Sequence, residues 1–153
     1  CEDSINFIRV NGDIHTLRSN DSSSDGIDLD FSNLKINLIK VQNAGNDCLD
    51  LSNGLYTINY VSVENCGDKG ISVGEKSKTV LKKIEVNKSN IAIAAKDSSL
   101  VKVHKSKIIK SPVCFSAYRK KQEFSGAKIE IKQTNCDKEN FYVQKGSKIV
   151  SKL

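Results

Sequence analysis

Short apolar alternations recur along this chain at a fixed pitch of 22 residues. The segments Asp3-Ser-Ile-Asn-Phe7, Asp25-Gly-Ile-Asp-Leu29, Asp47-Cys-Leu-Asp-Leu51, Lys69-Gly-Ile-Ser-Val73, Ile91-Ala-Ile-Ala-Ala95 and Val113-Cys-Phe-Ser-Ala117 fall on one register. Within a copy, Ile27, Leu29 and Phe31 alternate with Asp28 and Asp30, as Leu49 and Leu51 do with Asp50. Period two is the mark of a strand with one buried face. Two more apolar columns recur, Ile14, Ile36, Ile58, Val80 and Leu17, Ile39, Val61. Twenty-two residues leave no room for a helix beside these strands, so each copy is one triangular turn of a coil. The pattern predicts an all-β chain, a parallel β-helix of about six coils of roughly 22 residues each.

Polar residues punctuate the coils. Ser24, Asn46, Asp68, Asn90 and Pro112 precede the first strand of successive copies, and Asn43, Asn65 and Asn87 form a second column. Such residues favour turns, and stacked asparagine amides can bond along the axis. The register slips by about one residue where Leu81, Ile84 and Val86 take the apolar positions, and the coil swells around Arg119 to Gly126. Turns absorb insertions and strands do not. Phe141, Val143, Ile149 and Val150 read as a last partial coil.

At 153 residues this is one domain, 1–153, able to bury roughly 70% of the surface its unfolded chain exposes. No apolar run approaches the roughly 20 residues of a membrane span, and none reads as a signal segment. An uncovered coil end presents unpaired backbone groups, so the chain is expected to be the C-terminal part of a longer protein whose N-terminal domain would be a partner. Cys48 and Cys114 share a column three coils apart, roughly 14 Å, while Cys66 and Cys136 sit in turns of distant coils. Free, buried thiols are expected. His15 and His104 are isolated and no C-x-x-C occurs, so no zinc site is implied.

Charge is divided along the chain. Residues 1–68 carry 4 Lys+Arg against 11 Asp+Glu, and residues 69–153 carry 20 against 7, which makes one end of a rod acidic and the other basic. Lysines keep a solenoid soluble and its edges protected. They also attract polyanions. Nucleic acid is not expected, because aromatics are sparse and no basic-plus-aromatic groove motif occurs. An acidic polysaccharide fits a long parallel face better, with Lys96, Tyr118, Arg119 and Lys120 as the residues to hold it.

On the outward face, Asp28 and Asp50 stand on adjacent coils with Asp30 nearby. Stacked like charges destabilise unless something neutralises them. Three readings follow: a calcium site at Asp28, Asp30 and Asp50, a pair of catalytic acids, or solvated surface. The near-miss to a phosphate loop at Gly74-Glu-Lys-Ser77 lacks the Gly-Lys pair and a following helix. The sequons at Asn20 and Asn87 are what chance supplies in an Asn- and Ser-rich chain.

The run Asp25-Gly-Ile-Asp28, Gly45-Asn-Asp-Cys-Leu49 and Asp68-Lys-Gly-Ile-Ser-Val-Gly74 resembles the active-site strands of polygalacturonases, over about four coils. The resemblance implies a right-handed parallel β-helix of the pectate-lyase type, an extracellular, periplasmic or cell-surface location, and catalytic carboxylates at Asp25 and Asp47. It departs from that family at Asn46, which replaces an aspartate, at Lys69, which stands where a histidine belongs, and at Ala94, which stands where an arginine belongs; Lys96 alone remains of the last motif. Hydrolysis of that kind is therefore not expected. Elimination or epimerisation of a uronate would use Lys69 or Lys96 to abstract a proton beside a cation-neutralised carboxylate. Aspartate just before a strand also closes a turn through its own side chain, which is the structural reading of Asp25 and Asp47. A looser similarity, to β-helix tails of bacterial surface proteins, implies no activity. Three classes stand open: a uronate-active enzyme, a glycan-binding module and a structural or adhesive solenoid.

Overall fold

The computed structural model describes residues 3–152. Fourteen strands alternate between a short and a long form. The short ones are β1 (Ile5–Ile8), β3 (Ile27–Asp30), β5 (Leu49–Ser52), β7 (Lys69–Gly74), β9 (Ile91–Lys96), β11 (Val113–Tyr118) and β13 (Phe141–Val143). The long ones are β2 (Asn11–Ser22), β4 (Asn33–Ala44), β6 (Leu55–Cys66), β8 (Lys78–Asn87), β10 (Leu100–Ile109) and β12 (Lys128–Thr134), with the shorter β14 (Lys148–Ser151) last. Odd strands form one seven-stranded sheet, sheet A, and even strands another, sheet B; the ladders are parallel throughout. The chain is thus a parallel β-solenoid of about seven turns rather than six, because the last segment closes a complete coil. Its only helical piece among the described residues is a single turn, Lys138–Asn140.

The expected interior column is present. Ile5, Ile27, Leu49, Ile71, Ile93 and Phe115 pair in sequence on sheet A. Phe141 continues it, meeting Phe115 edge-on at 5.1 Å. Opposite, Ile14, Ile36, Ile58, Leu81, Val103 and Ile131 stack on sheet B. Leu81 stands where the plain 22-residue count put Val80, because Glu75 and Lys76 add a residue to one corner; Lys69 still pairs with Ile91, so the next corner is a residue shorter. Phe31 does not continue the inward alternation: it lies at a corner with φ 49° and is 52% exposed.

Two corner columns take left-handed backbone, which asparagine tolerates better than most residues. Asn43 and Asn65 occupy one, and their amides stack as expected: Asn65 Nδ2 donates to Asn43 Oδ1 at 2.8 Å and Asn43 Nδ2 to Asp21 Oδ1 at 2.8 Å. Asn87 leaves the column. The register slip puts Lys88 at that corner, with φ 65°, and Asn87 donates instead to Glu64.

The cysteines correct the expectation of free thiols. Cys48 bonds Cys66 and Cys114 bonds Cys136, with Cα separations of 5.3 and 6.5 Å. Each pair joins the start of a short strand to the end of the long strand of the same coil, at Cys66, or just past it, at Cys136. A coil closes on itself, so residues 18 or 22 apart in sequence become neighbours even though they share no column.

Candidate functional site

Sheet A turns three columns outward. Asp25, Asp47, Lys69, Ile91 and Val113 form the first; Asn6, Asp28, Asp50, Ser72, Ala94, Ser116 and Tyr142 the second. In the third, Asp30, Ser52 and Gly74 lead on to Lys96 and Tyr118. All of the sheet A residues singled out from the sequence therefore share one face, with Arg119 and Lys120 in the loop that follows β11.

Asp3, Asp25 and Asp47 are engaged in holding the coils together. Asp3 Oδ1 accepts the Asp25 N–H at 3.1 Å, Asp25 Oδ1 accepts the Asp47 N–H at 2.9 Å, and Asp47 Oδ1 accepts the Lys69 N–H at 3.0 Å. Asn46, the departure from the polygalacturonase pattern, donates its amide to Asp25 Oδ1 at 2.8 Å. Asp47 is only 3% exposed. Lys69 Nζ lies 3.4 Å from Asp47 Oδ1 and also bonds Asp68. Gly67, in the same stretch, is dictated by stacking: a Cβ there would lie 2.0 Å from the Gly45 carbonyl oxygen.

Lys96 folds back along the sheet. Its stem crosses Gly74, where a Cβ would meet Lys96 Cε at 2.9 Å, and its ammonium reaches 3.9 Å from Asp50 Oδ2. Ser72, Ala94 and Ser116 face outward yet are buried, as are most atoms of Lys96. Burial pushes the Asp50 carboxyl up, opposed by Lys96. Asp28, partly buried beside Asp30 and Asp50 and with no cation in ion-pair reach among the described residues, is pushed up to about 7. Asp25 and Asp30 are raised mainly by burial.

This arrangement bears on each expected role. Burial alone would lower the Lys69 ammonium, but the Asp68 hydrogen bond and the Asp47 charge outweigh it and raise Lys69 above the ordinary lysine range. A base must lose its proton near working pH, so Lys69 is poorly suited to proton abstraction. For calcium, no three His, Cys, Asp or Glu side chains gather in ligand geometry among the described residues. The nearest counter-charge to Asp50 is the Lys96 ammonium.

Toward the C-terminal coils the face changes character. Where the earlier coils carry Asp25, Asp47 and Lys69, Ile91 and Val113 follow; where they carry Asp28 and Asp50, Ser116 and Tyr142 follow. Ile91, Val113, Ser116, Tyr118, Tyr142 and Gln144 line a cleft of about 240 Å³. Tyr142 is 54% exposed, and the Tyr118 phenol is raised by burial against the opposing pull of Lys69. Gln144 Oε1 accepts the Arg119 N–H at 2.7 Å, and Asp97 Oδ1 accepts the N–H groups of Lys120 and Lys121 at 2.7 and 2.8 Å. These bonds fix the swollen loop beside the cleft, so Arg119 and Lys120 are held by their backbones near Tyr118. The alternation of Phe141 and Val143 around Tyr142 was the available sequence signal for this aromatic.

No family model, curated protein or solved structure matches this chain.

Proposed function

We propose that the chain is a non-catalytic glycan-binding module that takes an acidic, uronate-containing polysaccharide at the C-terminal coils of the outward face of sheet A, with the Tyr118–Tyr142 cleft as the anchoring subsite. The change of the outward columns from carboxylate to apolar and aromatic in the last coils carries this reading. An aromatic ring on a preformed strand offers stacking area to the CH face of a sugar at little entropic cost, and Gln144, Ser116, Arg119 and Lys120 supply polar and cationic contacts nearby. Catalysis by the expected set is disfavoured. Asp47 is buried and bonded to backbone, Lys69 is held protonated, and Lys96 is committed to Asp50.

The two intracoil disulfides support an oxidising setting, in keeping with an extracellular, periplasmic or cell-surface location. Right-handed winding of the pectate-lyase type belongs to the same proposal. Titration calorimetry with oligogalacturonates against neutral oligosaccharides tests the function: acidic oligomers bind, and Tyr142→Ala weakens them by about tenfold, the scale of a lost aromatic contact. Equal affinity of the variant, or release of an unsaturated ultraviolet-absorbing product during incubation, refutes it. Absence of binding to any glycan leaves the structural solenoid, for which the carboxylate-to-backbone ladder of Asp3, Asp25 and Asp47 already speaks.

A further inference from the structure

Sheet B bends once in each coil, and the bend presents two consecutive outward residues between two inward ones. Between buried Ile36 and Ile39 stand Asn37 and Leu38, and one coil on stand Asn59 and Tyr60. From the fourth coil the pair becomes Lys82 and Lys83, then His104 and Lys105, then Lys132 and Gln133. Lys102 and Lys107 flank it on the same outward side. A row of ammonium groups thus runs along the axis over three coils, on a different face from the tyrosine cleft.

Most of its charge has no ion pair, although Glu130 is the ladder neighbour of Lys102 and Glu85 that of Lys107. Glu85 takes Lys83 at 3.5 Å and Glu130 takes Lys128, whereas no carboxylate lies within 4.0 Å of Lys82, Lys102, Lys105, Lys107 or Lys132 among the described residues. Lys83 and Lys105 are direct ladder partners, about 4.8 Å apart by strand spacing. Burial together with Lys132, Lys82 and Lys102 lowers the His104 imidazole. Like charges opposed across strands cost stability. Solubility alone is served by charges of mixed sign, whereas a single-sign strip attracts a counter-charged partner.

The partner is constrained by what the ridge lacks. It has lysine but no arginine, so it offers point charges without the bidentate fork that reads an individual phosphate or base edge. Its one aromatic, Tyr60, is roofed by Lys83 at 4.7 Å, which leaves no stacking platform for nucleobases. Beside it lies a hollow of about 570 Å³ lined by Leu55, Val80 and Leu100, with Lys35, Lys78 and Lys102 against a single carboxylate, Asp13, at its rim. Apolar floor with cationic rim suits a chain of sugar rings bearing anionic groups.

We propose that the sheet B ridge is a second binding surface, which holds a linear anionic polysaccharide, carboxylated or sulfated, along the solenoid axis by charge. It requires nothing from the cleft on sheet A, so the two readings stand or fall separately. The test measures binding of the intact chain to polygalacturonate, a sulfated glycan, neutral dextran and a single-stranded oligonucleotide, at low and at raised salt. The variants are Lys82→Glu/Lys105→Glu/Lys132→Glu and the milder triple change to Gln, each made in the parent chain and in Tyr142→Ala, where the cleft is disabled and the ridge is read alone. Salt-sensitive binding to one or both anionic glycans that survives in Tyr142→Ala and falls by about tenfold or more when either triple change is added, at equal melting temperature, supports the ridge. The carboxylated and sulfated arms identify the anion. Unchanged affinity in the folded Gln variant, tighter binding to the oligonucleotide than to either glycan, or no binding to any polyanion at low salt overturns it.

Discussion

Asp28 shows how a residue's meaning changes between sequence and fold. As a letter in an alternation it is an outward polar position; in the coil it stands beside Asp50 and near Asp30, half withdrawn from water, with Lys96 directed to Asp50 instead. Folded Asp28 keeps its proton up to about pH 7, while an unperturbed aspartate loses it near 3.8. Between those values the folded state binds more protons than the unfolded one, so this contribution to stability is full at low pH and lost as pH rises through about 7. The melting temperature should therefore fall between pH 5 and pH 8. Asp28→Asn should flatten that fall and stabilise the protein at pH 8 by about 1–2 kcal/mol, a figure reduced for solvent screening. Parallel pH profiles for the two proteins would contradict this account. The stacking of Asp28 on Asp50 was legible from the 22-residue pitch. The direction taken by the Lys96 side chain was not, because it depends on the bare Gly74 backbone one coil earlier.

At the scale of the element, the unit is one coil, a short strand and a bent long strand joined at left-handed corners. Two coils are closed covalently, and the closure between Cys48 and Cys66 spans 18 residues. A loop of that size is worth about 3 kcal/mol through restriction of the unfolded chain. Cys48→Ala/Cys66→Ala should lower stability by about that amount and leave the fold intact, since the ladders on both sides persist; urea unfolding followed by circular dichroism measures it. A reductant should destabilise the parent chain and have less effect on this variant. Thiol labelling of the unreduced chain should find none of Cys48, Cys66, Cys114 or Cys136 free. Strand identity and register were readable because inward positions repeat with period two and coils with period 22. The pairing of the cysteines was not, since it follows from how far a corner turns the chain, which no column of residues reports.

The whole molecule is a rod with a graded surface. In the middle coils the interior columns are fully buried, as at Ile58, Val61, Ile71, Leu81 and Ile93, whereas in the last coil Tyr142 and Val143 are exposed and β14 is only partly covered. Repeat stability is close to a sum of coil and interface terms, so opening should start where an interface is missing. Amide hydrogen exchange should find the greatest protection in β5 through β9 and the least in β13 and β14; uniform protection along the chain would contradict this. The sequence by itself determined the pitch, the parallel strands, the interior columns and the separation of acidic from basic coils, because a repeating chain with one apolar set per strand has a single way to bury it. The tertiary structure decided which charges meet. It paired Asp47 with Lys69 and Asp50 with Lys96, left Lys82, Lys105 and Lys132 of the sheet B bend without an ion pair among the described residues, and put two tyrosines beside one cleft. Those outcomes depend on corner geometry and side-chain reach across coils, where a shift of one residue at Glu75–Lys76 changes which side chains face each other.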